Sequence, residues 1–257
     1  MAKKKTHSVR PESVVLSVGR RGVRIETLAT TDHKGIVSPR DKQKAVLVDT
    51  SKCIACRSCQ VSCKRWNELP AEKTFSRGTY QNPPYLSPVT LTHVKFNEVS
   101  GERSEKAVEW LFRKHQCMHC TEPVCVEVCP VKAIYKTSLG PVIIDKDKCK
   151  GFGNCVQKCP WKVPKLDWKE GKAYKCVLCF DRVTEGLEPS CVKSCTSEAL
   201  TFGPMPEIYE KAEKRVEELQ GAYPDASVYG TDPEDFYGGL HYIYVLAYED
   251  ALYDLGA

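Results

Sequence analysis

Fifteen of the 257 residues are cysteine, and their spacing constrains the fold more than anything else in the chain. Cys53, Cys56, Cys59 and Cys63 read C-x2-C-x2-C-x3-C. In such a run three thiolates hold one iron–sulfur cubane and the fourth reaches a neighbouring cluster. A chain built on it is expected to carry electrons rather than to transform a substrate. Ligation also contributes folding free energy, so a modest core suffices. The hydrophobic fraction of 42% suits that.

Three further groups follow. Cys117, Cys120, Cys125 and Cys129 end in a Cys-Pro pair, as do Cys149, Cys155 and Cys159. The last group is Cys176, Cys179, Cys191 and Cys195. The C-x3-C halves at residues 125–129, 155–159 and 191–195 share one pattern, which suggests a duplicated unit. In the third group Phe152 stands where a second cysteine belongs, and phenylalanine cannot ligate iron. Crossing the fourth cysteine of each run into the neighbouring cluster uses every cysteine once. One cluster then takes Cys53, Cys56, Cys59 and Cys195, and a second takes Cys63, Cys176, Cys179 and Cys191. A third takes Cys117, Cys120, Cys125 and Cys159, which leaves Cys129, Cys149 and Cys155. Three thiolates suit a [3Fe–4S] cluster beside three [4Fe–4S] clusters. The rival reading is a vacant site with Phe152 filling the space as core.

Other chemistry fits less well. Zinc would want two C-x2-C halves rather than repeated triplets ending in Cys-Pro, and fifteen is an odd number for a disulfide scaffold. The formal charge of +5 counts every cysteine as neutral. Four oxidised clusters with their thiolates contribute about −8, leaving the holo chain near about −3, so no nucleic-acid partner is implied. The basic start (Lys3, Lys4, Lys5, Arg10) reads as a solvated tail. No apolar run reaches the roughly 18 residues of a transmembrane helix. Arg20-Arg21 lacks a following apolar stretch, so it does not read as an export signal. The chain is expected to be cytoplasmic, or periplasmic by export beside a partner that carries the signal.

His115 and His119 flank Cys117 and read as surface or outer-sphere residues. Lys64, Lys150, Lys158, Lys162 and Lys175 crowd the cysteines, either to offset cluster charge or as a solvated face. Trp66, Trp161 and Trp168 read as packing that shields clusters from water.

The expected architecture is α+β: tandem two-cluster ferredoxin-like modules, nested, with a strand-rich insertion and a C-terminal helix and strand. Residues 1–46 form an extension with strand-like pieces at 14–18 and 23–28. Residues 47–65 with 170–203 make one module. Residues 66–169 make the other, interrupted at 70–113 by strands expected at 89–96 and 108–112. A strand is expected at 44–49, and each C-x3-C half opens a short helix. Residues 204–219 read as a helix with Ile208, Ala212, Val216 and Leu219 on one stripe. A closing strand is expected at 242–248, and residues 204–257 cover the modules or dock a partner.

The chain resembles the iron–sulfur (beta) subunits of molybdenum and tungsten bis-pyranopterin oxidoreductases, and among them those of formate dehydrogenase. The resemblance rests on residues 53–72, on Gln81-Asn82-Pro83-Pro84 with Leu86-Ser87, on residues 176–182 and on Gly238-Gly239-Leu240-His241, and it spans about 45–250. It implies a large catalytic subunit holding the metal–pterin centre. It implies that electrons enter at the Cys53 cluster and pass by the Cys176 and Cys117 clusters towards the three-ligand site. In nitrate-reductase-like relatives an aromatic residue at the position of Phe152 accompanies a [3Fe–4S] cluster, whereas some soluble formate dehydrogenases have lost that cluster. Lacking the C-terminal transmembrane helix of membrane-bound members, the chain is expected to serve a soluble carrier or a further redox subunit. The alternatives are the equivalent subunit of an enzyme acting on nitrate, sulfur oxyanions, sulfoxides, hydrocarbons or aldehydes, or a zinc-stabilised interaction module.

Overall fold

The computed structural model describes residues 14–19, 22–27, 42–100 and 108–255; the basic start, Arg20-Arg21 and Gly101 lie outside these. Strands β1 (Val14–Gly19) and β2 (Gly22–Thr27) pair antiparallel. The organising element is β3 (Lys44–Asp49), whose Ala45, Val46, Leu47 and Val48 are all buried. A strand covered on both faces reads as a continuous apolar run instead of an alternation. Val46 and Val48 join a core with Tyr242, Tyr244 and Leu246, while Ala45 and Leu47 face Ile208, Ala212, Ile243 and Val245.

The cysteine groups hang from short helices. Helix α1 (Ser58–Trp66) carries Cys59 and Cys63. A hairpin of β4 (His93–Ser100) and β5 (Val108–His115) follows. Next come α2 (Val124–Glu127), the hairpin β6 (Ile134–Lys136) with β7 (Val142–Ile144), and α3 (Asn154–Lys158). The hairpin β8 (Lys165–Asp167) with β9 (Lys172–Tyr174), α4 (Phe180–Thr184) and α5 (Ser190–Lys193) complete the series. Glu122-Pro123 and Glu188-Pro189 stand at the same distance before Cys125 and Cys191, so α2 and α5 start alike.

Helix α1 packs on α5, and α2 packs on α3. Serines latch the first pair: Ser62 Oγ donates to Ser190 O at 3.2 Å and Ser190 Oγ donates to Ser62 O at 3.2 Å. Across the second pair Asn154 Nδ2 donates to Val128 O at 3.1 Å.

Strand β10 (Leu200–Pro204) pairs antiparallel with β3, and α6 (Met205–Leu219) buries Ile208, Ala212 and Leu219 beneath that sheet, with Val216 partly covered. The spacing of these residues is the stripe expected of a helix on a sheet. Strands β11 (Ser227–Tyr229) and β12 (Tyr242–Leu246) give the order β10-β3-β12-β11. The closing strand thus lies inside the sheet, parallel to β3, with Tyr242 opposite Val46. Residues 238–241 then brace the second cysteine loop: Thr121 N donates to Gly239 O at 2.9 Å and His241 N donates to Met118 O at 3.0 Å.

One expected strand shifts and one lengthens. The first insertion strand runs 93–100, later than periodicity suggested, because residues 87–90 form a turn before it, and the second starts at 108 as expected but continues to 115. Ile243, fully buried on β12, tests the central sheet. Ile243→Ala is expected to cost about 2–4 kcal/mol, read as a lower urea midpoint for the cluster-loaded protein.

Candidate metal centres

All fifteen cysteines lie among the described residues, and none forms a disulfide. One backbone step recurs in all four groups. The residue before the second cysteine, or before Phe152, has positive φ: Ala55 at 53°, His119 at 51°, Gly151 at 70° and Leu178 at 55°. Non-glycine residues enter that region at a cost of roughly 1–2 kcal/mol. A penalty incurred repeatedly at one motif position marks a required loop shape. At Gly151 the requirement is absolute, since a Cβ there would sit 2.3 Å from the Gly171 carbonyl oxygen in the β8–β9 turn. A second such step falls three residues after the last cysteine, at Lys132 (49°), Lys162 (52°) and Glu198 (54°).

These loops aim amides at sulfur. The backbone N–H of Ala133 lies 3.2 Å from Cys129 Sγ, that of Ala173 3.4 Å from Cys149 Sγ, that of Leu178 3.3 Å from Cys176 Sγ and that of Ser190 3.4 Å from Cys179 Sγ. Such bonds favour the thiolate, the form that binds metal.

The thiols fall into neighbourhoods that reveal themselves electrostatically. Burial pushes Cys59 up to about 12, Lys114 opposes this, and Cys191, Cys53 and Cys195 push it further. Cys63 is raised by burial and then by Cys176, Cys191 and Cys179. Burial and then Cys117, Cys125 and Cys159 raise Cys120. Cys155 is raised by burial and then by Cys149 and Cys129. Further couplings join successive neighbourhoods: Cys59 senses Cys191, Cys176 senses Cys117, and Cys125 senses Cys155. The four neighbourhoods therefore form a row. Two are lined cavities. Cys63, Cys176, Cys179 and Cys191 share one with Lys114 and Tyr242, and Cys129, Cys149 and Cys155 share the other with Phe152.

Phe152 does not fill a core, being 60% exposed. Trp168 is 85% exposed and shields nothing, whereas Trp161 is buried and donates to Tyr229 Oη at 3.0 Å. Trp66, partly exposed, donates to Asp181 Oδ2 at 2.8 Å, tying α1 to α4. The surface reading of His115 and His119 is corrected, since both are buried. β5 runs on through His115, and β12 covers the loop beyond. His119 Nδ1 accepts from the Val142 amide at 2.9 Å, so its Nε2 carries the proton and is buried without a partner. Of the five lysines singled out in the sequence, Lys175 is buried, donating to the carbonyls of Val142 and Cys176. Lys64 instead ties the Pro70 and Val89 carbonyls, each at 2.9 Å.

Sequence reasoning missed Lys114. It is 2% exposed, donates to Gln116 Oε1 at 3.1 Å and lies 4.8 Å from the Tyr242 ring centroid. Burial alone would discharge this ammonium, but Cys191, Cys59, Cys176 and Cys63 hold it charged. The only signal was a run of basic residues, Arg113 to His115, just before Cys117.

The donor set fits iron–sulfur clusters. Cysteine sulfurs gather in a row, amides point at them, buried cations stand between them, and an orphaned imidazole N–H lies in the Cys117–Cys120 loop.

A family model described as a 4Fe-4S dicluster domain matches residues 108–205. The chain is 42% identical over 208 residues to the iron–sulfur subunit of the nitrate-inducible formate dehydrogenase of Escherichia coli K12, covering 80% of this chain and 69% of that one. It is 42% identical over 209 residues to a formate dehydrogenase iron–sulfur subunit of Haemophilus influenzae, covering 80% and 65%. It is 39% identical over 218 residues to formate dehydrogenase 2 subunit beta (cytochrome c-553) of Nitratidesulfovibrio vulgaris, covering 82% and 96%.

The metal-free chain is expected to lose stability in alkali. Buried thiols whose pKa stands above the ordinary 9.0, at about 12 for Cys59 and Cys125 and about 11 for Cys159 and Cys176, stabilise the fold fully below pH 9. That contribution fades as pH climbs through 11 and 12. Urea midpoints of iron-stripped protein, followed by circular dichroism under reducing conditions, should be level up to pH 9 and fall above it.

Proposed function

Because the chain belongs to the family of formate dehydrogenase iron–sulfur (beta) subunits, we propose that its cysteines hold four clusters in a row. It is an electron-transfer subunit of a formate dehydrogenase complex and not the catalytic one. When bound, the clusters supply one-electron acceptors and donors. Cys53, Cys56, Cys59 and Cys195 would hold the first, and Cys63, Cys176, Cys179 and Cys191 the second. Cys117, Cys120, Cys125 and Cys159 would hold the third. Cys129, Cys149 and Cys155 would hold a [3Fe–4S] cluster beside Phe152. The observation carrying this reading is the row of coupled sulfurs, joined through Cys59 with Cys191, Cys176 with Cys117 and Cys125 with Cys155.

In this proposal the modules are nested, α1 with α5 outside and α2 with α3 inside, which their packing supports. The expected module boundaries, 47–65 with 170–203 and 66–169, divide the chain accordingly, behind the extension 1–46. The Cys53 end faces a molybdenum- or tungsten-pterin catalytic subunit, and residues 204–257 help to dock it. The Phe152 end faces the acceptor. A relative whose name carries cytochrome c-553 supports a soluble carrier. Among the described residues no helix is long and apolar enough to cross a membrane. The proposed setting is the cytoplasm, or the periplasm after export with the catalytic subunit.

The chain's own residues set the environment. The amides of Ala133, Ala173, Leu178 and Ser190 stabilise the thiolates, and Lys114 places a buried positive charge between the first two sites.

Iron and acid-labile sulfide on anaerobically purified protein should come to about 15 iron per chain; about 12 would mean that the Phe152 site is empty. Phe152→Cys should raise the count by about one iron and abolish the electron paramagnetic resonance signal of an oxidised three-iron cluster. Lys114→Met should lower the potential of the Cys63 and Cys59 sites by on the order of 50–100 mV, since a cation near a cluster favours its reduction. A redox titration with unshifted midpoints would refute that role.

A further inference from the structure

Strand β5 sends alternate residues to opposite faces. Lys114 lies among the cysteines, whereas Arg113 and His115 border a cleft of about 430 Å³ on the other side. Lys95, Lys162 and Lys165 stand around the same cleft, and its one carboxylate is Asp254. That carboxylate is already engaged, with Lys95 Nζ 3.0 Å from its Oδ2. Arg113 is 1% exposed, and its guanidinium has only neutral partners: His115 Nδ1 at 3.2 Å, the Asp254 carbonyl at 3.2 Å and the Tyr244 hydroxyl. Its Nε is buried with no partner at all. The one counter-charge an ionised guanidinium so placed senses nearby is the Asp254 carboxylate, which it shares with Lys95 and does not hydrogen-bond, so burial leaves it under-compensated.

We propose that this cleft is an anion site that takes a carboxylate against Arg113, with Lys162 and Lys165 as its outer wall. The planar fork of a guanidinium matches the two oxygens of a carboxylate, and Nε is the donor still free for it. His93 completes the wall. Its Nδ1 lies 3.2 Å from the Pro83 carbonyl and so carries the hydrogen, which leaves Nε2 buried and unpartnered. A water held by the bound anion can satisfy that atom. The site is separate from the cysteine row, although Pro160 and Trp161, directly after Cys159, form part of its rim. The carboxylate can come from a free small acid or from an aspartate or glutamate of a partner subunit.

The test is an anaerobic titration of the cluster-loaded chain with sodium acetate against sodium chloride at constant ionic strength. Thermal midpoint reports binding, and visible absorbance scores cluster content separately. Acetate should raise the midpoint where chloride does not. The double variant Lys162→Gln, Lys165→Gln should weaken the apparent affinity roughly tenfold, and Lys211→Gln, Lys214→Gln on α6 should leave it unchanged. These lysines are not buried, so the variants keep the fold while Arg113 stays in place. Repeating the titration on the intact complex separates the sources. Continued acetate binding assigns the site to a free anion, and blocked binding assigns it to a carboxylate of the partner. Equal behaviour of acetate and chloride on the isolated chain, or unchanged affinity in the Lys162/Lys165 variant, overturns the proposal.

Discussion

Bringing fifteen thiolates within electrostatic reach of one another is the constraint on which the rest of the structure depends. Left alone, they would take up protons, and the elevated thiol pKa values of the metal-free chain record burial first and mutual repulsion second. Backbone amides of Ala133, Ala173, Leu178 and Ser190 turned towards sulfur offset part of the charge. Two buried lysines, Lys114 and Lys175, offset more. Bound iron would neutralise the remainder, which couples folding to cluster assembly.

Rigidity comes from elsewhere. The β10-β3-β12-β11 sheet, backed by α6, is apolar on both faces and touches the cysteine loops only along one side. Residues near the C-terminus therefore hold a loop more than a hundred positions earlier, through Gly239 and His241. Arg113 and Lys114 show how one strand serves two purposes. Alternation places one cation among the sulfurs and its neighbour in an anion-poor cleft.

The short helices at C-x3-C, the α6 stripe and the β3 and β12 strands were legible, because each is written in local spacing. The small hairpins β6–β7 and β8–β9 were not, since three-residue strands carry too little periodicity to register. Trp168 was assigned to shielding from its nearness in sequence to a cysteine, but nearness along the chain does not decide burial. His119 went the other way, because the cover over its loop comes from residues about 120 positions later.

The sequence by itself determined the iron–sulfur chemistry, the phenylalanine at position 152 of the third cysteine group and the kinship with formate dehydrogenase iron–sulfur subunits. Ligand identity and spacing are properties of the covalent chain, so they survive without coordinates. Only the tertiary structure decided which cations lie among the sulfurs, that Phe152 faces outward, and that Arg113 is buried with no carboxylate hydrogen-bonded to it. Those are outcomes of packing between distant segments. Charge, solvent access and desolvation depend on what surrounds a residue in space, and no local pattern encodes that.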